Sequence, residues 1–256
     1  ARDKGVVQAR LFTAVQTIVW RMDKKVIREM HAVRDEMKAT RGGREVCENL
    51  PAKMGDLESK RCMDYLIDMC DELFKSPLST PHLELLDTNV FLRLLHVNAT
   101  VMLDKFAAEL RTLFPEAVDN VKMLSPDRAF ANSSPRHALL IGPIKGEPRL
   151  QVKIQNARNE NNDPSKWMFS GRMGDMLRAH LVGIDGEAVL EAWTRCCSRF
   201  DITEEHGFLN NSFNTSAHRP PFILTNVHLD MPDHALTAVG EIQIHLLAVF
   251  NLKVRA

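Results

Sequence analysis

The stretch Ala238-Val239-Gly240-Glu241-Ile242-Gln243-Ile244-His245-Leu246 alternates polar and apolar side chains from Glu241 onward. Because successive side chains of a β-strand point to opposite faces of its sheet, this pattern predicts a strand over residues 238–246. One face of that strand is expected to be apolar. The opposite face would carry Glu241, Gln243 and His245.

Two earlier segments, residues 176–182 and 222–229, show the same alternation. Their polar positions, with one residue just beyond the second segment, are Arg178, His180, Asn226, His228 and Asp230. If the three strands are neighbours, they form a sheet with one apolar face and one polar face. The polar face would bring histidines, an arginine, a glutamine and carboxylates together.

Four interpretations of this polar face remain open. It is typical first of a half-solvated sheet that has no function, and then of a concave site where carboxylates hold a divalent metal and cations hold phosphates. A zinc site built from His180, His228 and His245 is a third interpretation, although no tight ligand spacing supports it. A polar interface with another protein is the fourth.

The rest of the chain after Arg128 contains short elements separated by Gly, Pro and Asn. The patterns predict a strand at 137–141, a helix at 150–159, a loop at 161–164, a helix at 187–200, a loop at 210–216 and a closing helix at 247–254. Residues 129–256 are therefore expected to form an α+β domain, a mixed β-sheet with flanking helices.

The N-terminal half has a different periodicity. Apolar residues recur at three- and four-residue steps from Val6 to Met37, which predicts one long helix that ends at Arg41-Gly42-Gly43-Arg44. Further helices are predicted at 57–74, at 81–114 and, in a short fourth piece, at 115–124. Without strand-like alternation, residues 1–128 are expected to form a helical bundle. The first helix is long enough for part of its apolar stripe to meet another subunit.

Composition narrows the classes of partner. The 256 residues include 33 basic and 33 acidic side chains, and this balance does not indicate nucleic acid as a partner. The sequence contains no apolar run as long as a membrane span, and its five cysteines lack a CxxC motif. We expect a reducing intracellular compartment, the cytoplasm or an organelle interior. Because the sequence starts at Ala1, loss of a targeting segment is one explanation of its beginning.

Two sequence motifs lie on either side of the predicted helix 187–200. They are Gly174-Asp175-Met176-Leu177-Arg178-Ala179-His180 and Glu241-Ile242-Gln243-Ile244-His245. Together with the order of elements over residues 136–253, they resemble the synthetase domain of the RelA/SpoT family. The resemblance implies a nucleotidyltransferase fold that transfers pyrophosphate from ATP to the 3′-hydroxyl of GDP or GTP.

The resemblance also implies roles for single residues. Asp175 and Glu241 would be the catalytic carboxylates and the ligands of a magnesium ion. The residues that would contact nucleotide or phosphate are Lys153, Arg158, Arg178, His180, Gln243 and His245. The family's ATP-binding basic segment should lie upstream of Asp175, where the spacing of the basic residues differs from the family pattern.

Several positions depart from the family. The segment that should supply a stacking tyrosine and a histidine corresponds to residues 219–224, where Pro220 and Leu224 stand instead. Arginines of the two motifs are replaced by His180 and His245, which removes two permanent phosphate-binding charges. We therefore expect a catalytically degenerate domain that serves as a binding or assembly subunit.

In that interpretation the N-terminal helices would contact other protein subunits, a nucleotide is a possible ligand, and magnesium is expected only if nucleotide binding is retained. The alternative is an active magnesium-dependent pyrophosphokinase with an altered acceptor. A third class, a metal-dependent hydrolase using the three histidines, predicts a bound transition metal.

Overall fold

The computed structural model describes residues 24–54, 85–124, 135–160, 170, 173–200, 202, 208–214, 220–232 and 236–255. The helices are α1 (24–37), α2 (Arg41–Arg44), α3 (Leu92–Leu113), α4 (Glu147–Glu160), α5 (Gly186–Phe200) and α6 (Leu247–Arg255). The strands are β1 (Lys53–Met54), β2 (His137–Ile141), β3 (Leu177–Gly183), β4 (Phe208–Asn211), β5 (Ile223–Met231) and β6 (Leu236–Leu246). In these described ranges no helix combines the length and the apolar character needed to cross a membrane.

The strands form one six-stranded mixed sheet in the order β1-β4-β5-β6-β3-β2. β3 and β6 are parallel, and the other neighbouring pairs are antiparallel. The predicted α+β class and the predicted neighbourhood of the three alternating strands are therefore confirmed. Their register places Glu241 of β6 between Arg178 of β3 and Asn226 of β5, so the polar positions share one region of one face.

Sequence patterns located most of the C-terminal elements, but the predicted loop at 210–216 was wrong in its first part. Phe208–Asn211 is strand β4, and Ser212–Asn214 is a 3₁₀ turn. The strand pairs with β5 on one side and β1 on the other, and the buried Asn211 side chain donates hydrogen bonds to the carbonyls of Val46 and Leu50. Tertiary pairing overrides the weak strand propensity of asparagine here.

In the N-terminal half, the first helix ends before Arg41–Arg44 as predicted, but that segment is itself helical. α1 stops at residue 37, Thr40 accepts a hydrogen bond from the Gly43 amide as an N-cap, and α2 then continues into a π-helical turn at Glu45–Asn49. The short fourth helix predicted at 115–124 was also wrong. Val118 bridges to Ala138 at the sheet edge, and a 3₁₀ turn covers Val121–Met123.

Of the predicted helix at 81–114, the structure describes a π-helical turn at Asp87–Phe91 that leads into α3. Predicted helix 57–74, residues 6–23 of the first helix and the loop at 161–164 lie outside the described residues. The helical bundle and the domain boundary at 128/129 therefore stay predictions.

The described parts of the two regions share one hydrophobic core. Phe106 of α3 is fully buried, and a Cβ built on Gly240 of β6 would lie 2.8 Å from the Phe106 ring. α3 thus packs on the apolar face of the sheet. α6 covers part of the opposite face, where Phe250 contacts the rings of His180 and His245.

Candidate functional site

Asp175 lies in the turn that leads into β3, and two lysines bind its carboxylate. Lys145, from the loop between β2 and α4, donates to Oδ2, and Lys153 of α4 places its Nζ 2.7 Å from Oδ1. Burial favours a higher pKa for Asp175, but the hydrogen bonds and charges of Lys145 and Lys153 outweigh burial and lower the pKa. Asp175 is therefore a carboxylate that holds two ammonium groups.

Gly174 allows this turn to approach the sheet closely. A Cβ at residue 174 would lie 2.9 Å from Nδ2 of Asn226 and 3.4 Å from Cγ1 of Val239. Since Asn226 pairs with Glu241 across β5 and β6, the close approach brings Asp175 towards the second carboxylate.

Glu241 is the central acidic residue of the polar face. Its Oε1 accepts a hydrogen bond of 2.6 Å from Gln243. Burial raises the pKa of Glu241, the charge of Asp175 raises it further, and the Gln243 hydrogen bond with the charges of Lys145 and Arg178 only partly opposes the rise. A carboxylate with a raised pKa can accept a proton more readily than an ordinary glutamate.

Two further cations, Arg178 and Lys253, lie near Glu241. Arg178 has a buried Nε that makes no hydrogen bond. Lys253 reaches over from α6, with its Nζ 3.4 Å from Oε1 of Gln243 and 5.4 Å from the centre of the Phe222 ring. Glu241 is thus surrounded by groups suited to hold an anion.

His180 and His245 contact each other rather than a third metal-binding group. Nδ1 of His180 lies 3.2 Å from Nε2 of His245, and Phe222 and Phe250 pack against the His245 ring. Burial, followed by the charges of Lys253 and Arg178, lowers the pKa of His180 to about 4. Burial also lowers the pKa of His245 well below its usual range. Both rings are therefore uncharged at neutral pH.

This geometry does not favour a zinc site. Within the described part of the chain, no group of three or more His, Cys, Asp or Glu residues could hold a metal ion. His228 is exposed on β5, where it pairs with Val239 rather than with the two other histidines.

Magnesium needs oxygen ligands, and Asp175 and Glu241 supply them. Both oxygens of Asp175 are engaged by lysines. An ion held by the two carboxylates would therefore require the oxygens of a bound phosphate as further ligands, with Lys145 and Lys153 shifted onto that phosphate. The residues fit magnesium together with a phosphorylated ligand better than magnesium alone.

The structure brings together most of the predicted site residues. Asp175, Glu241, Lys153, Arg178 and Gln243 contribute polar groups to this region, whereas His180 and His245 pair beside it and add no charge. Arg158 belongs to α4 by its backbone, but its side chain lies outside the described residues. The proposed contacts of these residues with nucleotide stay predictions.

Sequence reasoning missed Lys145 and Lys253. Lys145 lies between Gly142 and Gly146 in the loop after a buried strand, a place where a functional side chain is often held. Lys253 follows Gln243 by ten positions, and no sequence periodicity shows that α6 turns back over the polar face.

No family model matches the chain, and no curated protein matches it.

Proposed function

We propose that this chain is a degenerate RelA/SpoT-like domain that binds a nucleotide through its phosphates without transferring pyrophosphate. It acts as a binding or assembly subunit of a larger complex. The observation that carries the proposal is the arrangement of Lys145, Lys153 and Arg178 around Asp175 and Glu241 next to two uncharged histidines.

Phosphate binding follows from the balance of charge in the site. Lys145, Lys153, Arg178 and Lys253 provide four cationic groups, whereas only Asp175 is a carboxylate with a lowered pKa. The neighbouring Glu241 has a raised pKa, so it opposes an incoming anion less than an ordinary glutamate does. Phosphate oxygens accept charge-assisted hydrogen bonds from the same ammonium groups that Asp175 now holds.

We expect no pyrophosphate transfer because the site lacks positive charges that would stabilise the transition state. Phosphoryl and pyrophosphoryl transfer depend on fixed positive charges that stabilise the developing charge on the phosphate oxygens. At the two motif positions of the arginines, His180 and His245 are neutral and bound to each other. Pro220 also offers no aromatic ring on which an acceptor base could stack.

The assembly part of the proposal is supported by α3 and the turn before it. Val90, Leu94, Val97 and Val101 lie four, three and four residues apart, and their exposure ranges from 39% to 56%. Residues with this spacing share one face of a helix, and an exposed apolar stripe marks protein interaction sites. A groove of about 240 Å³ between α3 and α4 adjoins it and includes Val97 and Leu150 in its lining. The stripe suits an apolar helix of a partner protein.

Isothermal titration with ATP and magnesium tests nucleotide binding. We expect Lys153→Met to weaken binding by roughly tenfold, the effect of one charge-assisted hydrogen bond, because Lys153 contacts Asp175 at the centre of the site. The matched control is Lys122→Met, which removes an exposed lysine of the 3₁₀ turn outside the site. Absence of ATP binding by the wild-type protein would refute the proposed function.

Loss of transfer needs a separate assay. With magnesium, ATP and GDP or GTP, we expect no pyrophosphorylated guanosine. Formation of that product by the wild-type protein, and its loss in Glu241→Gln, would establish the active pyrophosphokinase instead. The raised pKa of Glu241 beside Asp175 is the observation that favours this alternative, since a general base must accept the proton of the attacking hydroxyl.

The assembly role is tested by size-exclusion chromatography of the tagged full-length chain from its own cells. We expect elution above the monomer mass, with Val97→Lys eluting as the monomer and Met123→Lys unchanged. Met123 is an equally exposed apolar control outside the stripe. Elution of the wild-type chain as a monomer would rule out the assembly role and leave nucleotide binding to its own test.

A further inference from the structure

We propose that Arg178 and Lys253 form a second phosphate-binding pair, separate from Lys145 and Lys153, and that Lys253 supplies a charge that His180 and His245 do not. This inference rests on the proposed function and adds to it a specific residue from α6. Its ligand is a phosphoryl group held on the Gln243 side of Glu241.

The two pairs of cations differ in their acidic partners. Lys145 and Lys153 are both bound to Asp175. Neither Arg178 nor Lys253 forms an ion pair within 4.0 Å with an acidic group of the described ranges. Arg178 additionally has a buried Nε without a hydrogen-bond partner. Buried donors are normally paired, so the Arg178 Nε lacks an acceptor that a bound anion would provide.

The fold holds these two cations near each other against their repulsion. Arg178 is fixed in β3, where its backbone carbonyl accepts a 2.7 Å hydrogen bond from Gly142 and its side chain packs beside that glycine. Lys253 is brought back to the sheet by α6. Partial burial and then the charge of Arg178 lower the pKa of Lys253, while Glu241 opposes this change. An anion between the two cations would relieve their repulsion.

Contacts around Lys253 orient its ammonium group towards the site. Its Nζ lies over the Phe222 ring and near Oε1 of Gln243, and the Gln243 amide nitrogen donates to Glu241. The ring and the amide restrain Lys253 without neutralising it. His180 and His245 also face this region, but they are uncharged and paired. Lys253 is therefore the cation that this end of the polar face can offer beside Arg178.

Titration with inorganic pyrophosphate tests the inference on the full chain. We expect Lys253→Ala to weaken binding by roughly tenfold, as for the loss of one charge-assisted contact, and Lys253→Arg to retain it. Lys122→Ala serves as the control for loss of an exposed lysine. Urea denaturation of each variant confirms that the fold is intact.

A pH series adds a readout that a structural role would not change. Because the pKa of Lys253 is lowered, its charge is lost at lower pH than that of an ordinary lysine, and an arginine at this position stays charged. Between about pH 8 and about pH 10, affinity of the wild-type protein should fall more steeply than that of Lys253→Arg.

The outcomes distinguish the two proposals. If pyrophosphate binding is weakened by Lys153→Met and unchanged by Lys253→Ala, the second pair is refuted while the proposed function stands. Equal weakening by Lys253→Arg and Lys253→Ala would also refute it, because charge would then not be the cause. If the wild-type protein binds neither ATP nor pyrophosphate, both proposals fail together.

Discussion

At the scale of single residues, His180 and His245 show how burial changes the chemistry of a side chain. A phosphate-binding site would carry charged groups at these positions, yet the two rings share one contact of 3.2 Å and lie among phenylalanines. The buried Nδ1 of His245 has no hydrogen-bond partner. If both ring nitrogens of His245 carried a proton, this Nδ1 would be a donor without an acceptor. The rings therefore stabilise the fold only in their neutral forms.

This predicts a stability that falls with acid. The pKa of His180 is about 4 in the folded protein, below its ordinary value of 6.5. Between these two pH values the unfolded chain therefore binds more protons than the folded protein. The stabilising contribution is present above about pH 6.5 and is lost as pH falls towards 4. A histidine that protonates only on unfolding contributes a slope of up to about 1.4 kcal/mol per pH unit.

Urea denaturation over this pH range measures the slope. His180→Leu should reduce it by up to that amount. Leu140→Val, on the strand position opposite His180, should lower the free energy of unfolding equally at every pH. An unchanged slope in His180→Leu would show that His180 is not the titrating group.

At the scale of elements, glycines decide where helices meet. Gly42 and Gly43 of α2 pack against the start of α5, and the Gly42 amide donates a 2.6 Å hydrogen bond to Glu187. A Cβ on Gly186 would lie 2.6 Å from both the Cα and the amide nitrogen of Gly43. These neighbours are backbone atoms that cannot rotate away. The Gly-Gly sequence that predicted a helix end is in fact a contact surface between helices.

Gly186→Ala is therefore expected to lower the free energy of unfolding by about 1–3 kcal/mol, the usual cost of overpacking a tight contact. Urea denaturation at neutral pH measures the change. The matched control is Gly146→Ala, because the nearest heavy atom to its new Cβ would be Cδ of Pro148 at 3.9 Å, an ordinary contact. If both variants have the stability of the wild-type protein, α2 and α5 do not pack as closely as described.

At the scale of the whole molecule, α3 and the sheet are joined through one core. Phe106 is fully buried against β6, and residues from α1, α4 and α5 belong to the same cluster. A core shared in this way predicts that the described helices and the sheet unfold together. The predicted boundary at 128/129 would then separate two stretches of sequence rather than two independently folding units.

Phe106→Ala tests this cooperation. Removing a buried phenylalanine should lower the free energy of unfolding by about 3–5 kcal/mol. The free energy of opening measured by hydrogen exchange at the Ile242 and Ile244 amides in β6 should fall by the same amount. Val101→Ala, on the exposed face of the same helix, should change neither measurement by more than about 0.5 kcal/mol. Unchanged protection of β6 in Phe106→Ala would instead indicate independent domains.

Local patterns explain which predictions succeeded at this scale. The alternation in 176–182, 222–229 and 238–246 reports burial on one side of a strand, and those strands formed as neighbours. Strand β4 was missed because Phe208–Asn211 ends in two asparagines, whose place in the sheet depends on pairing with β5. The 3₁₀ turn and the bridge of Val118 were missed for the same reason, since distant partners stabilise them.

The sequence by itself determined the α+β class, the polar face of three strands and the presence of Glu241, Arg178 and Gln243 on that face. These features follow from side-chain direction in a strand, which is a local property. Only the tertiary structure decided that Lys145 and Lys153 both bind Asp175. It also decided that burial keeps His180 and His245 uncharged and that α6 brings Lys253 back to the site. Such contacts depend on the path of distant segments through space, and charge and pKa follow from that path because burial and neighbouring groups determine them.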